Sequence, residues 1–221
     1  MRRLFGAAAA ALLLTACKAP AVRSTASASM SVEQLAAAIA EDARLSDTET
    51  DGKVREQLAV DAGRDAQACV ERAPQAASCL YYRAIALGLE ARAHPLRAGE
   101  ALKSMLDALS GAEAADAQID EAGPARVKAL VLIKAPAWPL GPGDPEAGLA
   151  SARRAVSLKP QHPPNVLALA EALAKTGDTR GAREAYGGAR ELCQTLPSSQ
   201  IRDDWLRQAE QGLSKLAAPS H

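Results

Sequence analysis

Aromatic residues are scarce in this chain, with one Phe, three Tyr and two Trp among 221 residues. A sheet protein would lean on aromatic and β-branched side chains, so their scarcity beside abundant alanine argues for helices throughout. Charge of one sign is missing too, because 26 Lys and Arg balance 26 Asp and Glu. That balance gives no basic field for nucleic acid and no attraction to an anionic bilayer. Histidine occurs only at His94, His162 and His221, two of them before prolines, and no histidine or cysteine pair has zinc or haem spacing. After the first seventeen residues no apolar run is long enough to span a membrane.

Catalytic patterns are absent as well. The chain lacks Gly-x-Ser-x-Gly, Ser-x-x-Lys, a phosphate-cradling glycine loop and His-Glu-x-x-His. The nearest glycine cluster, Gly141-Pro142-Gly143, lacks the pattern's third glycine, Glu146 standing there, and opens no dinucleotide-binding unit. Adjacent acids such as Asp203-Asp204 point in different directions on a helix, as solvated charges do. The expectation is a non-enzyme with no catalytic residues, no cofactor and no metal.

What is present begins at the amino terminus. Arg2 and Arg3 precede an apolar stretch from Leu4 to Leu14, and small residues follow. This is the layout of a secretory signal. Leu14-Thr15-Ala16-Cys17 resembles the bacterial lipobox, which implies cleavage before Cys17 and lipidation of its thiol and new amino group. Several acyl chains, at about 0.8 kcal/mol per buried methylene, make an anchor effectively permanent. Losing residues 1–17 removes two arginines and no acid, so the formal charge moves from 0 to −2. Residues 18–30 are small and polar and read as a tether of about 20 Å root-mean-square length. The domain then occupies residues 31–217, about the size of one core.

The organising feature lies between Gly143 and Leu192. Gly143-Asp144 recurs as Gly177-Asp178, Ala155 as Ala189, and Leu158 as Leu192, each 34 residues on. Between the copies Val166, Leu167, Leu169, Ala170 and Leu173 keep a helical period. Helix, Gly-Asp turn and second helix in that span are the mark of stacked helical hairpins. Upstream, Ser31 with Gln34 forms a capping box ahead of Leu35 and Ile39, and a second helix carries Leu58, Ala62, Ala66 and Cys69 as far as Ala73-Pro74. A third carries Leu80, Tyr81, Ala84 and Leu87, a fourth Leu102, Met105 and Leu109, and a fifth restarts at Gly123-Pro124. Residues 111–123 give no clear pattern. The last helix, from Gln200, has a polar face suited to closing a stack.

Ala170, Leu173, Gly177, Asp178, Ala182, Tyr186, Ala189 and Leu192 resemble the tetratricopeptide repeat. Gly143-Asp144, Ala155 and Pro160 fit the preceding copy, although Gly148 and Ala152 depart from the pattern. The resemblance implies an all-α solenoid of antiparallel helix hairpins, with its best repeats at 129–162 and 163–194, a C-terminal capping helix and a concave face made by first helices. It implies a role in binding other proteins, and a periplasmic or envelope protein as partner. On that face it places Tyr81, Leu167, Glu171 and Lys175, against the alternative that the first two are core and the last two a solvated i,i+4 pair. Cys-x9-Cys-Leu-Tyr-Tyr, a Gly-Pro before a helix, and Ala-Pro-Ala-Trp-Pro-Leu-Gly-Pro-Gly-Asp-Pro resemble repeat lipoproteins grouped with the T component associated with TRAP transporters. That resemblance implies docking of a substrate-binding protein or shelter for a small hydrophobic ligand; pore and oligomer are not carried over. Lipidation and export imply the cell envelope facing the periplasm, the outer membrane ahead of the inner.

Two features stay open at this level. Cys69 and Cys79 lie ten residues apart in an exported chain, so they form either a disulfide or two buried thiols on facing helices, while Cys193 reads as buried and free. Residues 135–143 carry three prolines and cannot be helical. Trp138 within them either plugs the helical stack or meets a partner.

Overall fold

The computed structural model describes residues 29–217, and Cys17, the signal and most of the tether lie outside them. Nine α-helices make up the described chain. They are α1 (Val32–Thr48), α2 (Gly52–Arg72), α3 (Ala77–Ala93), α4 (Ala98–Ala115), α5 (Ile119–Lys134), α6 (Pro145–Leu158), α7 (Pro163–Lys175), α8 (Thr179–Thr195) and α9 (Gln200–Ala217). No strand occurs among these residues, and none of the helices is long and apolar enough to cross a membrane. The chain is all-α.

Helix starts follow side-chain chemistry. Ser31 Oγ accepts from Gln34 N at 3.3 Å while Gln34 Oε1 accepts from Ser31 N at 2.8 Å, so the capping box is complete. Asp51, Asp144 and Asp178 cap α2, α6 and α8 by accepting from backbone N–H groups at 2.8, 3.0 and 2.8 Å. The unpatterned stretch resolves into the end of α4, which runs to Ala115, and a short link to α5.

Each helix packs on the next along the chain. A second set of contacts joins only the odd helices: α1 to α3, α5 to α7, and α7 to α9. Successive even helices make no comparable contact. The odd helices therefore form one layer and the even helices the other. Alanine makes this possible, because Ala62, Ala84, Ala129, Ala152, Ala170, Ala182 and Ala189 are all fully buried and let backbones approach closely. Leu35, Ile39 and Leu109 are the largest apolar side chains completely enclosed, each contributing about 1.5–3 kcal/mol by burial.

Cys69 and Cys79 form a disulfide, with Cα atoms 5.3 Å apart, that joins the end of α2 to the start of α3. Cys193 is free and buried.

The odd layer has one thin place. Helices α3 and α5 meet only weakly. Their amino-terminal ends are tied together by a left-handed turn at the start of α5. Asp120, Glu121 and Ala122 have φ of 49°, 54° and 65°, a region that costs a non-glycine residue roughly 1–2 kcal/mol. The turn is held from three helices. Tyr81 of α3 donates its hydroxyl to Asp120 Oδ2 at 2.5 Å. Arg126 donates to the Asp120 and Glu121 carbonyls at 3.0 and 3.2 Å and pairs with the Asp120 carboxylate at 2.6 Å. Asn165 of α7, fully buried, donates to the Glu121 carbonyl at 2.9 Å and accepts from Arg126 at 3.0 Å. Beyond this clamp the carboxyl-terminal halves of α3 and α5 stand apart.

Candidate functional site

The gap between those two halves is a cleft of about 580 Å³. Ile85, Gly88 and Leu89 of α3 face Val127, Leu130 and Val131 of α5 across it, and Leu102 and Met105 of α4 form its floor. At its mouth stand Arg92, paired with Asp47 at 2.7 Å, and Lys134, paired with Glu171 at 2.8 Å. An apolar concavity with a few charged groups at the rim is the usual form of a small-molecule or side-chain pocket.

Residues 135–144 cross from α5 to α6 beside that mouth. Pro136 lines the cleft, and the Leu140 carbonyl lies against Gly99 at the start of α4. The loop closes on itself through Gly143 N to the Pro136 carbonyl at 2.8 Å and Asp144 N to the Leu132 carbonyl at 2.9 Å. Trp138 is 87% exposed and Leu140 78% exposed, with Leu96 fully exposed in the short 3-10 turn that precedes Gly99. The loop thus leaves an indole in solvent at the rim of the cleft. Trp138 does not plug the stack. The loop is closed by its own backbone bonds and needs no indole inside the stack to hold it.

A second concavity, of about 690 Å³, continues along the odd layer past Lys134. Lys134, Lys175 and Lys215 enter it from α5, α7 and α9, together with Glu171, Gln208 and Gln211. Glu171 is the only carboxylate on this lining and is engaged by Lys134. Tyr186 forms part of the wall; burial, and then the nearby Glu171 carboxylate, push its phenol above its ordinary value.

The residues expected on the groove therefore divide. Glu171 and Lys175 line the second concavity, but Glu171 pairs with Lys134 of the neighbouring hairpin rather than with Lys175. Tyr81 is only 3% exposed and Leu167 only 4%, so neither faces a groove. Leu167 packs with Ala170, Tyr186 and Ala209. Tyr81 packs with Ala84, Met105 and Leu109, and spends its hydroxyl on Asp120. Burial, and next the Asp120 carboxylate, push the Tyr81 phenol far above its ordinary value, so it remains a donor. Both residues sit on helices covered from two sides, where a single apolar stripe does not say which flank stays open.

Arg92, Lys134 and Lys215 were not singled out by pattern, although each lies in the last turn of its helix, where a cation ordinarily complements the helix dipole. Asp120, Arg126 and Asn165 also escaped, since their partnership spans hairpins far apart in sequence. His162, beside this cluster, stacks edge-on against Trp205 at 5.6 Å, and burial, followed by Arg126, lowers its pKa. Among the described residues no group of His, Cys, Asp and Glu is placed to hold a metal ion.

No protein-family model matches the chain, and no curated protein matches it significantly.

Proposed function

We propose that this is a lipid-anchored periplasmic protein of tetratricopeptide type, a non-catalytic scaffold that binds a segment of a partner protein along its odd-helix layer. That layer is the concave, inner face of a solenoid on this reading, because its helices touch one another while the even helices spread. The observation that carries the function is the continuity of the apolar cleft and the polar concavity through Lys134, which lines both. Together they form one long surface rather than an enclosed site, and a long surface suits a chain segment.

A second reading takes the chain as a TRAP-transporter-associated accessory protein that docks a substrate-binding protein or holds a small hydrophobic ligand. The nearly all-apolar lining of the α3–α5 cleft favours it. One experiment separates the two. A photo-crosslinking residue is placed in cells at Leu130 in the cleft, at Lys175 in the second concavity, and at Arg153 on the outer helix α6. The scaffold reading expects protein adducts from Leu130 and Lys175 and none from Arg153. Adducts of small mass from Leu130 alone would favour the ligand reading, and protein adducts from Arg153 alone would defeat both.

A further inference from the structure

We infer that the partner segment recognised on the inner face is acidic and amphipathic, with apolar side chains in the α3–α5 cleft and carboxylates over the concavity of Lys175 and Lys215. This rests on the scaffold reading and adds the chemistry of the partner. The ends of α3, α5, α7 and α9 each place one cation on the same rim: Arg92, Lys134, Lys175 and Lys215. Helix dipoles explain a cation in each last turn, but not why side chains from three separate helices converge on one concavity. Nor do they explain the pairing. Arg92 and Lys134 are neutralised by Asp47 and Glu171, whereas Lys175 and Lys215 have no carboxylate in contact among the described residues. Gln208 and Gln211 beside them add donors and acceptors but no charge. Two ammonium groups uncompensated among the described residues favour an anion in that concavity, and the apolar cleft next to it favours hydrocarbon. A segment that offers both in that order matches the apolar cleft and then Lys175 and Lys215.

The test uses the full-length chain and two fluorescein-labelled peptides, three leucines followed by five glutamates and the same peptide with five glutamines. Anisotropy titrations should show the glutamate peptide bound about tenfold more tightly, with the preference shrinking as salt is added. Lys175→Gln with Lys215→Gln should remove most of that preference and shift the melting temperature by no more than the loss of two last-turn cations does, since neither lysine holds an ion pair among the described residues. Arg153→Gln on the outer face should leave it intact. Equal binding of the two peptides would overturn the inference while leaving the scaffold reading in place. A preference that survives the double substitution would overturn it by placing charge recognition elsewhere. Failure of both peptides to bind would also overturn it, and the crosslinks from Leu130 would then judge the scaffold reading separately. Phosphatidylglycerol vesicles form the last arm: tighter binding to them than to the glutamate peptide, lost in the double variant, would replace the acidic segment with a lipid headgroup.

Discussion

Helices α7 and α8 are joined by residues 176–178, with Gly177 at φ +91° and Asp178 capping the helix that follows. Helices α5 and α6 need residues 135–144 for the same connection, yet Asp144 caps α6 in the same way. The shared Gly-Asp pair therefore hides two different uses of glycine. Gly177 supplies a left-handed backbone that closes a tight turn. At Gly143 the demand is space, because a Cβ there would lie 2.2 Å from the Ala135 carbonyl oxygen. In the regular hairpin the turn is the whole connection. The irregular one keeps the cap and the packing and spends its extra residues on a rim beside the cleft, with a clamp at the other end of α5 to hold it.

That clamp is where the comparison breaks most severely. Asn165 lies at the start of the regular hairpin, but three of its donor contacts reach the irregular one, at the carbonyls of Glu121, Ala155 and Lys159. Asn165→Ala removes them and strands Arg126 against a strained turn. The expected loss is about 2–4 kcal/mol, read from the midpoint of urea unfolding. A loss under about 1 kcal/mol would mean that the left-handed turn stands without it.

Gly143→Ala and Gly177→Ala sharpen the contrast between the two turns. The first forces a methyl into the backbone of the loop and should cost about 1–3 kcal/mol, as overpacking does. The second meets no neighbour within 4 Å and suffers only the left-handed φ, a cost of about 1 kcal/mol. Equal melting shifts would show that one conformational demand, not two, underlies the repeated glycine. The caps should behave alike. Asp144→Ala and Asp178→Ala each remove one side-chain acceptor and should each cost about 1 kcal/mol. A cost confined to Asp178 would make the α6 cap redundant with the loop.

Period and punctuation explain why much of the fold was legible. Leu35 and Ile39, or Leu169 and Leu173, mark helices by spacing alone, and Pro74, Pro136 and Pro160 stop them. The Ser31–Gln34 capping box was legible for the same local reason. The left-handed turn at Asp120–Ala122 was not, because nothing in Asp-Glu-Ala asks for it; its support comes from Tyr81 and Asn165 in other hairpins. Tyr81 and Leu167 misled because a helix covered on two flanks has more than one apolar stripe. Lys134 and Lys215 were not read as part of a site because a cation in a last turn, or on a polar face, has a sufficient local explanation, and only convergence in space gives it another.

Trp138 is the smallest perturbation and the most direct trial of what the extra loop is for. A plugging indole would carry about 3–5 kcal/mol, the usual cost of truncating a buried aromatic. At 87% exposure its ring has little to lose, so Trp138→Ala should move stability by less than about 1 kcal/mol. An exposed indole beside an apolar cleft can still gain on binding, since aromatic anchors dominate many interfaces once water leaves them. The Trp205→Phe variant leaves Trp138 as the sole indole, and its emission should start near that of free tryptophan in water. Adding the leucine–glutamate peptide should shift the emission to the blue and shield it from iodide, because Pro136 of the same loop lines the cleft. Trp138→Ala should then weaken that peptide severalfold while the melt stays in place. Unchanged emission at saturating peptide would separate the loop from recognition. The difference between the two hairpins would then be a difference of connection alone.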